Sequence, residues 1–252
     1  MIDKLKVEKC FRKSIKTYNT NATVQEKICN NVVDLISNYK PTYNNVLEIG
    51  CGTGFLTKAF LQKYHPSRYT ANDLVEENKK SIENIFNTLP EIDFSFKSGD
   101  AETMPFEKNV DLIISSSTVQ WFNNLDSFMN KAYDLLLPGG FFVFSTFGTD
   151  NLHEIRSTCN SGLNYLSEKE ILNIVSEKFS VLQINEEHHY LRFPQPLSVL
   201  KHMKLTGVNG NNSKRWSAKD FTAFDKKYRR LCKNQDDVTL TYHPVYVVAV
   251  KQ

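Results

Sequence analysis

The chain has little net charge, no long apolar run and no closely paired cysteines. Its 31 basic and 28 acidic side chains leave a formal charge of +3. No global field therefore draws it to nucleic acid, whose backbone contacts need many cations. No stretch of about 18 apolar residues is present, so no membrane-spanning helix is expected. The opening Met-Ile-Asp-Lys-Leu-Lys lacks an apolar core and does not read as a signal peptide. The five cysteines, at 10, 29, 51, 159 and 232, show no CxxC spacing. An odd, scattered set fits a reducing cytosol, and a cytoplasmic location is expected. Repeats and low-complexity tracts are missing too. What remains is 252 residues, 40% hydrophobic and 23% charged. That is enough for one large core.

The densest signal is Val46-Leu-Glu-Ile-Gly-Cys-Gly-Thr-Gly54. A short apolar run enters a loop with glycines at 50, 52 and 54, and a helical pattern follows. Further along, residues 69–72, 92–97, 110–115 and 141–147 read as strands. Between them the spacing predicts helices from 54, over 76–86 and over 125–137. Residues 8–39 read as one helix ahead of the glycine loop. Such alternation calls for a parallel sheet covered on both faces. Towards the C-terminus, 167–178 reads as helix, 180–192 as extended and 245–250 as a last strand. The expected fold is therefore α/β, Rossmann-like, with a seven-stranded, mostly parallel sheet. One domain over 1–252 is expected, with 1–40 as a helical segment covering the site. The stretch 194–240 is too long for a plain connection. It reads as a small helical insertion between the last two strands.

The glycine spacing narrows the ligand. Dinucleotide loops want Gly-x-Gly-x-x-Gly, whose last glycine lets helix and strand pack closely. Here the spacing is Gly-x-Gly-x-Gly, and Phe55 follows. S-adenosylmethionine, which has no phosphate, fits better. Glu48 places an acid beside a site for a sulfonium and an ammonium. Asp73, at the end of the second strand, suits ribose hydroxyls in either cofactor class. Asp100, after the third strand, suits an adenine amino group. The candidate cofactor residues are Glu48, Gly50, Gly52, Gly54, Asp73, Leu74, Asp100, Ala101 and Ser115.

These motifs, with Gly99-Asp-Ala-Glu-Thr-Met-Pro-Phe106, Val110–Ser115 and Leu137-Pro-Gly-Gly-Phe141, resemble the class I S-adenosylmethionine-dependent methyltransferases over residues 44–148. A narrower resemblance runs nearly the whole length. Phe11–Gln25 (FRKSIKTYNTNATVQ), Ser115–Phe122 (SSSTVQWF), Phe144–Gly148 with Leu152–Arg156, Lys204–Gly210 and Leu240–His243 are similar to the malonyl-[acyl-carrier protein] O-methyltransferases. Arg12 and Lys204 depart from that pattern, away from the cofactor loop.

The resemblance implies methyl transfer to the free carboxylate of a malonyl thioester, opening the pimeloyl branch of biotin synthesis. The implied partner is an acyl-carrier protein bearing malonyl-phosphopantetheine, with malonyl-coenzyme A as the alternative. A carboxylate is already ionised at neutral pH, so positioning rather than proton abstraction is the task. Tyr18, Gln120 and Trp121 are the implied positioning residues, although each also suits plain packing. A buried carboxylate needs a partner, and Arg156, Arg192 and Lys201 are unranked candidates; Tyr242, near the final strand, is a further substrate-side candidate that also suits packing. The basic cluster Lys226, Lys227, Arg229 and Arg230 suits either a solvated helix face or a dock for an acidic carrier. His188 and His189 alternate faces and make a poor metal pair, so no metal is expected. The rival readings are a methyltransferase for another small acid, such as trans-aconitate, a nucleic-acid methyltransferase and a non-catalytic cofactor-binding subunit. An Asn/Asp-Pro-Pro-aromatic loop after the fourth strand, common in base methylation, is missing.

Overall fold

A computed structural model of the chain describes residues 1–159, 162–208, 217–234 and 236–252, without side-chain detail at 233 and 234. The chain begins with α1 (Lys4–Asn21) and α2 (Thr23–Ser37). A regular α/β alternation follows: β1 (Asn45–Ile49), α3 (Phe55–Leu61), β2 (Arg68–Asp73), α4 (Lys79–Phe86), β3 (Asp93–Ser98), β4 (Val110–Ser116), α5 (Leu125–Leu135) and β5 (Leu136–Phe147). The last part comprises α6 (His153–Cys159), α7 (Glu168–Ser176), β6 (Ser180–Glu186), β7 (His189–Phe193), α8 (Pro196–Leu205), α9 (Ala218–Cys232), β8 (Lys233–Asn234), β9 (Asp237–Tyr242) and β10 (Pro244–Val250).

The main sheet has seven strands in the order β3-β2-β1-β4-β5-β10-β6. β10 runs antiparallel to β5 and β6, and β1 to β5 pair in parallel. The order reverses beside β1, between β2 and β4. Ligands of open α/β sheets bind at such a switch point, beyond the carboxyl ends of the strands. Two apolar layers sandwich the sheet. One gathers Ile28, Val32 and Ile36 of α2 with Phe60 of α3. The other gathers Phe128, Met129 and Ala132 of α5 with Ile171 and Val175 of α7. The expected mostly parallel sheet with its two covered faces is present. Among the described residues no helix is long and apolar enough to cross a membrane.

Four sequence expectations need correction. The single helix over 8–39 is two helices that meet at Ala22, whose ψ of 46° leaves the helical region. Asn19, Thr20 and Asn21 precede the break, and such side chains compete for backbone bonds. Asn21 Nδ2 donates to Thr17 O at 2.7 Å. The helix over 125–137 stops at Leu135. The backbone of Pro138-Gly139-Gly140 already belongs to β5, because Gly139 N–H donates to Lys251 O at 2.8 Å and Lys251 N–H returns to Gly140 O at 2.9 Å. The extended run 180–192 is two strands in different sheets. The stretch 194–240 holds α8 and α9, but also β8 and most of β9. β9 pairs with β7 and β8 in a separate three-stranded sheet. Sequence periodicity missed it because β8 is two residues long and the last three residues of β9, Leu240 to Tyr242, are all buried, which blurs the alternation of a strand. Within the Lys204–Gly210 segment, Asn209 and Gly210 lie outside the described residues.

Candidate active site

The glycine loop leaves β1 at the switch point and is fixed from below. Gly50 and Cys51 N–H donate to Asn72 O at 2.8 and 2.9 Å. Gly50, Gly52 and Gly54 all have positive φ, at 71°, 52° and 94°, a region that favours glycine. A Cβ on Gly50 would sit 2.1 Å from Thr118 Oγ1. A Cβ on Gly52 would meet nothing within 4 Å, so open space lies over the middle of the loop. Gly54 instead packs against α4, where its Cβ would reach Ile85 Cδ1 at 2.7 Å.

The loop floors a pocket of about 810 Å³, counted out to its mouth. Gly50, Gly52, Asp73, Leu74, Asp100, Ala101, Tyr18 and Trp121 line it. These are eight of the residues expected at the site. Asp73 is 7% exposed and is held by three bonds. Its Oδ2 accepts from Gly52 N–H at 2.7 Å, and its Oδ1 from Val75 N–H at 2.7 Å and Asn78 Nδ2 at 3.1 Å. Burial raises its carboxyl above the ordinary value, against these bonds. Asn78 was not expected from sequence. It lines the same pocket, and its Oδ1 is buried without a partner. An orphaned acceptor beside a fixed carboxylate fits two neighbouring hydroxyls of a ribose.

Glu48, Gly54 and Ser115 stand outside the pocket wall. Side chains alternate along a strand, and Glu48 points under the loop towards α3. Its Oε2 accepts from Thr57 Oγ1 and Tyr69 OH, both at 2.6 Å. Its Oε1 is buried and unpartnered. Burial pushes the Glu48 carboxyl up to about 7 despite those two bonds. Ser115 is fully buried and donates to Ile49 O at 2.9 Å, so it ties β4 to β1. The neighbouring Ser116 and Ser117 line the pocket instead.

α1 forms the roof. Val7, Phe11, Ser14, Ile15 and Tyr18 descend into the pocket along one helix face. Phe11 meets Trp121 edge-on, with ring centroids 5.5 Å apart. Tyr18 lies 5.8 Å from the Phe55 ring. Burial pushes its hydroxyl far above the usual range, so it stays a neutral donor. Polar pairs fasten the roof to each loop below. Lys4 Nζ reaches Asp100 Oδ1 at 3.3 Å and Glu102 Oε2 at 2.6 Å. Burial alone raises the Glu102 carboxyl, but Lys4 and the Asn123 and Asn124 amides outweigh it and hold it below its ordinary value. Arg12 pairs with Glu77 at 2.6 Å. Thr53 Oγ1 donates to Asn19 Oδ1 at 2.5 Å.

Gln120 sits in a 3₁₀ turn, Val119–Trp121, and donates from Nε2 to Ser117 O at 2.6 Å. It lines a second groove with Ile2, Leu163 and Tyr165, and Phe122 borders both this groove and the cofactor pocket. The proposed basic partners are not brought to the cofactor pocket. Arg156 on α6 donates to Thr149 O and lies 5.5 Å over the Tyr165 ring. That places it behind the second groove. Arg192 takes an outward position on β7, and Lys201 an outward position on α8; both are exposed. Tyr242 is 1% exposed and its hydroxyl meets His202 Nε2 at 2.9 Å. Neither Cys29 nor Cys51 is an activated thiol. Burial pushes Cys29 up to about 12 and raises Cys51 well above its ordinary value.

Asp150, His188 and His243 bring ligand atoms within 4.8 Å of one another. Yet His243 Nδ1 accepts Asp150 N–H at 3.1 Å, so its proton sits on Nε2, which meets Glu186 at 3.0 Å. Both ring nitrogens are engaged, and we assign no metal there.

The fold, the glycine cradle and the fixed acid after β2 define a class I methyltransferase, with S-adenosylmethionine as cofactor. The profile of the family described as "Methyltransferase domain" matches residues 47–144. The malonyl-[acyl-carrier protein] O-methyltransferase of Chlorobium luteolum is 35% identical, over 98% of this chain and 95% of its own. Those of Bacteroides thetaiotaomicron and Haemophilus influenzae are 37% and 34% identical, over 96% and 98% of this chain and 96% and 95% of theirs. The chain belongs to the malonyl-[acyl-carrier protein] O-methyltransferase family. Among solved structures, the YcgJ protein of Bacillus subtilis superposes with a TM-score of 0.63 at 16% identity, over 88% of this chain and 98% of that one. That likeness supports the fold.

Proposed function

We propose that the chain methylates the free carboxylate of a malonyl thioester carried by acyl-carrier protein. The observation that carries this reading is the match to the family over nearly the whole chain. It includes the roof and the C-terminal elements as well as the cofactor cradle. S-adenosylmethionine supplies a methyl group on a sulfonium, and a carboxylate oxygen displaces the sulfide with no proton to move.

The residues accordingly hold and exclude. Asp73 and Asn78 would hold the ribose, Asp100 the adenine side, and the glycine loop the amino-acid end. In this reading Tyr18 is a neutral hydrogen-bond donor under the roof, and Trp121 walls the cofactor pocket. Water is kept out by the Phe11–Trp121 contact and the apolar face of α1. Gln120 steadies the turn that carries Trp121. The second groove, bordered by Leu163 and Tyr165, would take the extended thioester arm. Arg156 would meet polar groups of that arm, while Arg192, Lys201 and Tyr242 would act at longer range or only in packing. The exposed Lys226 and Arg230 of α9 would face the acidic carrier. We place the protein in the cytoplasm, in keeping with its unpaired cysteine spacing.

Expression in a biotin-requiring strain that lacks its own malonyl methyltransferase tests the reading. Growth without biotin is expected. Abundant, folded protein with no growth would overturn it.

A further inference from the structure

The roof helix α1 has two unlike faces. Val7, Phe11, Ser14 and Tyr18 recur at helical spacing and line the cofactor pocket. Lys9, Lys13 and Lys16 repeat that spacing two residues on and so fall on the opposite side, where all three are exposed. Leu5, one turn before Lys9, is 77% exposed on this outer side. The one acid of the helix, Glu8, is taken by Arg12. No carboxylate among the described residues pairs with the three lysines. Like charges one turn apart disfavour a helix, and an acidic partner would relieve that penalty. α8 packs on both α1 and α9. It adds the exposed Lys201 and Lys204 and has no acid of its own. The lysines of α1 and the basic side chains of α9 therefore flank one helix.

The chain just ahead of α1 borders the second groove: Ile2 lines it, and the Ile2 N–H donates to Asn123 Oδ1 at 2.6 Å. A carrier seated on the outer face of α1 would hold its thioester arm near the groove that would receive it. It would also press on the helix whose inner face encloses the cofactor, and which pairs such as Lys4–Glu102 and Arg12–Glu77 fasten to the loops below. We propose that the outer face of α1, through Lys9, Lys13 and Lys16, docks the acidic carrier protein, and that docking holds the roof closed over the cofactor. Carrier binding and retention of the cofactor are then coupled reciprocally. The inference rests on the reading above, in which a carrier-linked malonyl thioester is the acceptor.

Lys9→Glu with Lys13→Glu and Lys16→Glu changes exposed side chains only. In this triple variant KM for malonyl-acyl-carrier protein should rise about thirtyfold, while KM for malonyl-N-acetylcysteamine stays within about twofold of wild type. Carrier protein without its phosphopantetheine arm separates docking from binding of the arm. At saturation it should slow release of S-adenosylhomocysteine from wild type about fivefold in stopped flow, and leave release from the triple variant unchanged. Lys9→Gln, Lys13→Gln and Lys16→Gln together carry the test, with smaller effects, if the charge reversal does not fold. An unchanged KM for the carrier-linked substrate, or an equal rise for both substrates, would overturn the proposal. Release from wild type that ignores the carrier would overturn it as well. Binding to phosphatidylglycerol vesicles that the triple variant loses, with no effect of the carrier, would give the stripe to a lipid surface instead. A wild type that methylates no malonyl thioester, large or small, would sink the underlying reading.

Discussion

The floor and the roof of the pocket are built by different means. The floor is backbone: glycines at positive φ, amides on Asn72 O and a carboxylate fixed by three bonds. Its parts follow one another at the ends of adjacent parallel strands. The roof is one helix and its side chains, held to the floor by pairs such as Lys4–Glu102, Arg12–Glu77 and Thr53–Asn19. Partly exposed ion pairs of this kind contribute little each. The difference separates rigid recognition below from a cover above that can release to admit ligand.

If the floor is rigid, its variants should fail outright. Gly50→Ala puts a Cβ 2.1 Å from Thr118 Oγ1 at a φ of 71°. Strain and clash together should weaken S-adenosylhomocysteine binding on the order of a thousandfold by calorimetry. Near-normal affinity would show that the loop yields, and would erase the contrast with the roof.

Under the floor, Glu48 supplies a pH signature. Its folded carboxyl sits at about 7 against an ordinary 4.5, so the folded state holds a proton that the unfolded state gives up. Wild type should therefore lose stability as pH rises from 4.5 through about 7, by on the order of 3 kcal/mol, and level off above that range. Glu48→Gln should remove this slope in denaturant titrations. A slope that persists in the variant would assign it to another group.

The charged surface should give smaller effects. Lys226→Glu with Arg230→Glu should raise KM for the carrier-linked substrate by roughly fivefold and leave the small thioester unchanged. An equal change for both would remove α9 from docking. Smallest of all, Lys4→Met frees one end of the roof. Release of S-adenosylhomocysteine in stopped flow should quicken by about threefold, with a lesser change in affinity. A large loss of affinity would make the roof part of the rigid cradle.

The same contrast governs what the sequence revealed. The floor was legible because its chemistry needs fixed spacings after each strand: Gly50 to Gly54, Asp73, Asp100. Asn78 escaped notice because an asparagine five residues beyond the acid has no spacing rule, and its value lies in an acceptor left unpaired. Glu48 misled, because strand alternation turns it under the loop, where Thr57 and Tyr69 receive it. The roof was half legible. Tyr18 and Trp121 reach the pocket, but the break at Ala22 and the Phe11 contact arise only when distant segments meet. The three-stranded sheet of β7, β9 and β8 was invisible to periodicity, as was the separation of Arg192 and Lys201 from the pocket.

The function turns on the chemical class of the methyl acceptor. Transfer of labelled methyl from S-adenosylmethionine, compared across malonyl-acyl-carrier protein, malonyl-coenzyme A, trans-aconitate and a tRNA mixture, tests it most directly. Base-labile label is expected on the malonyl thioesters, with the highest kcat/KM on the carrier-linked one. Label confined to trans-aconitate or to tRNA would contradict it.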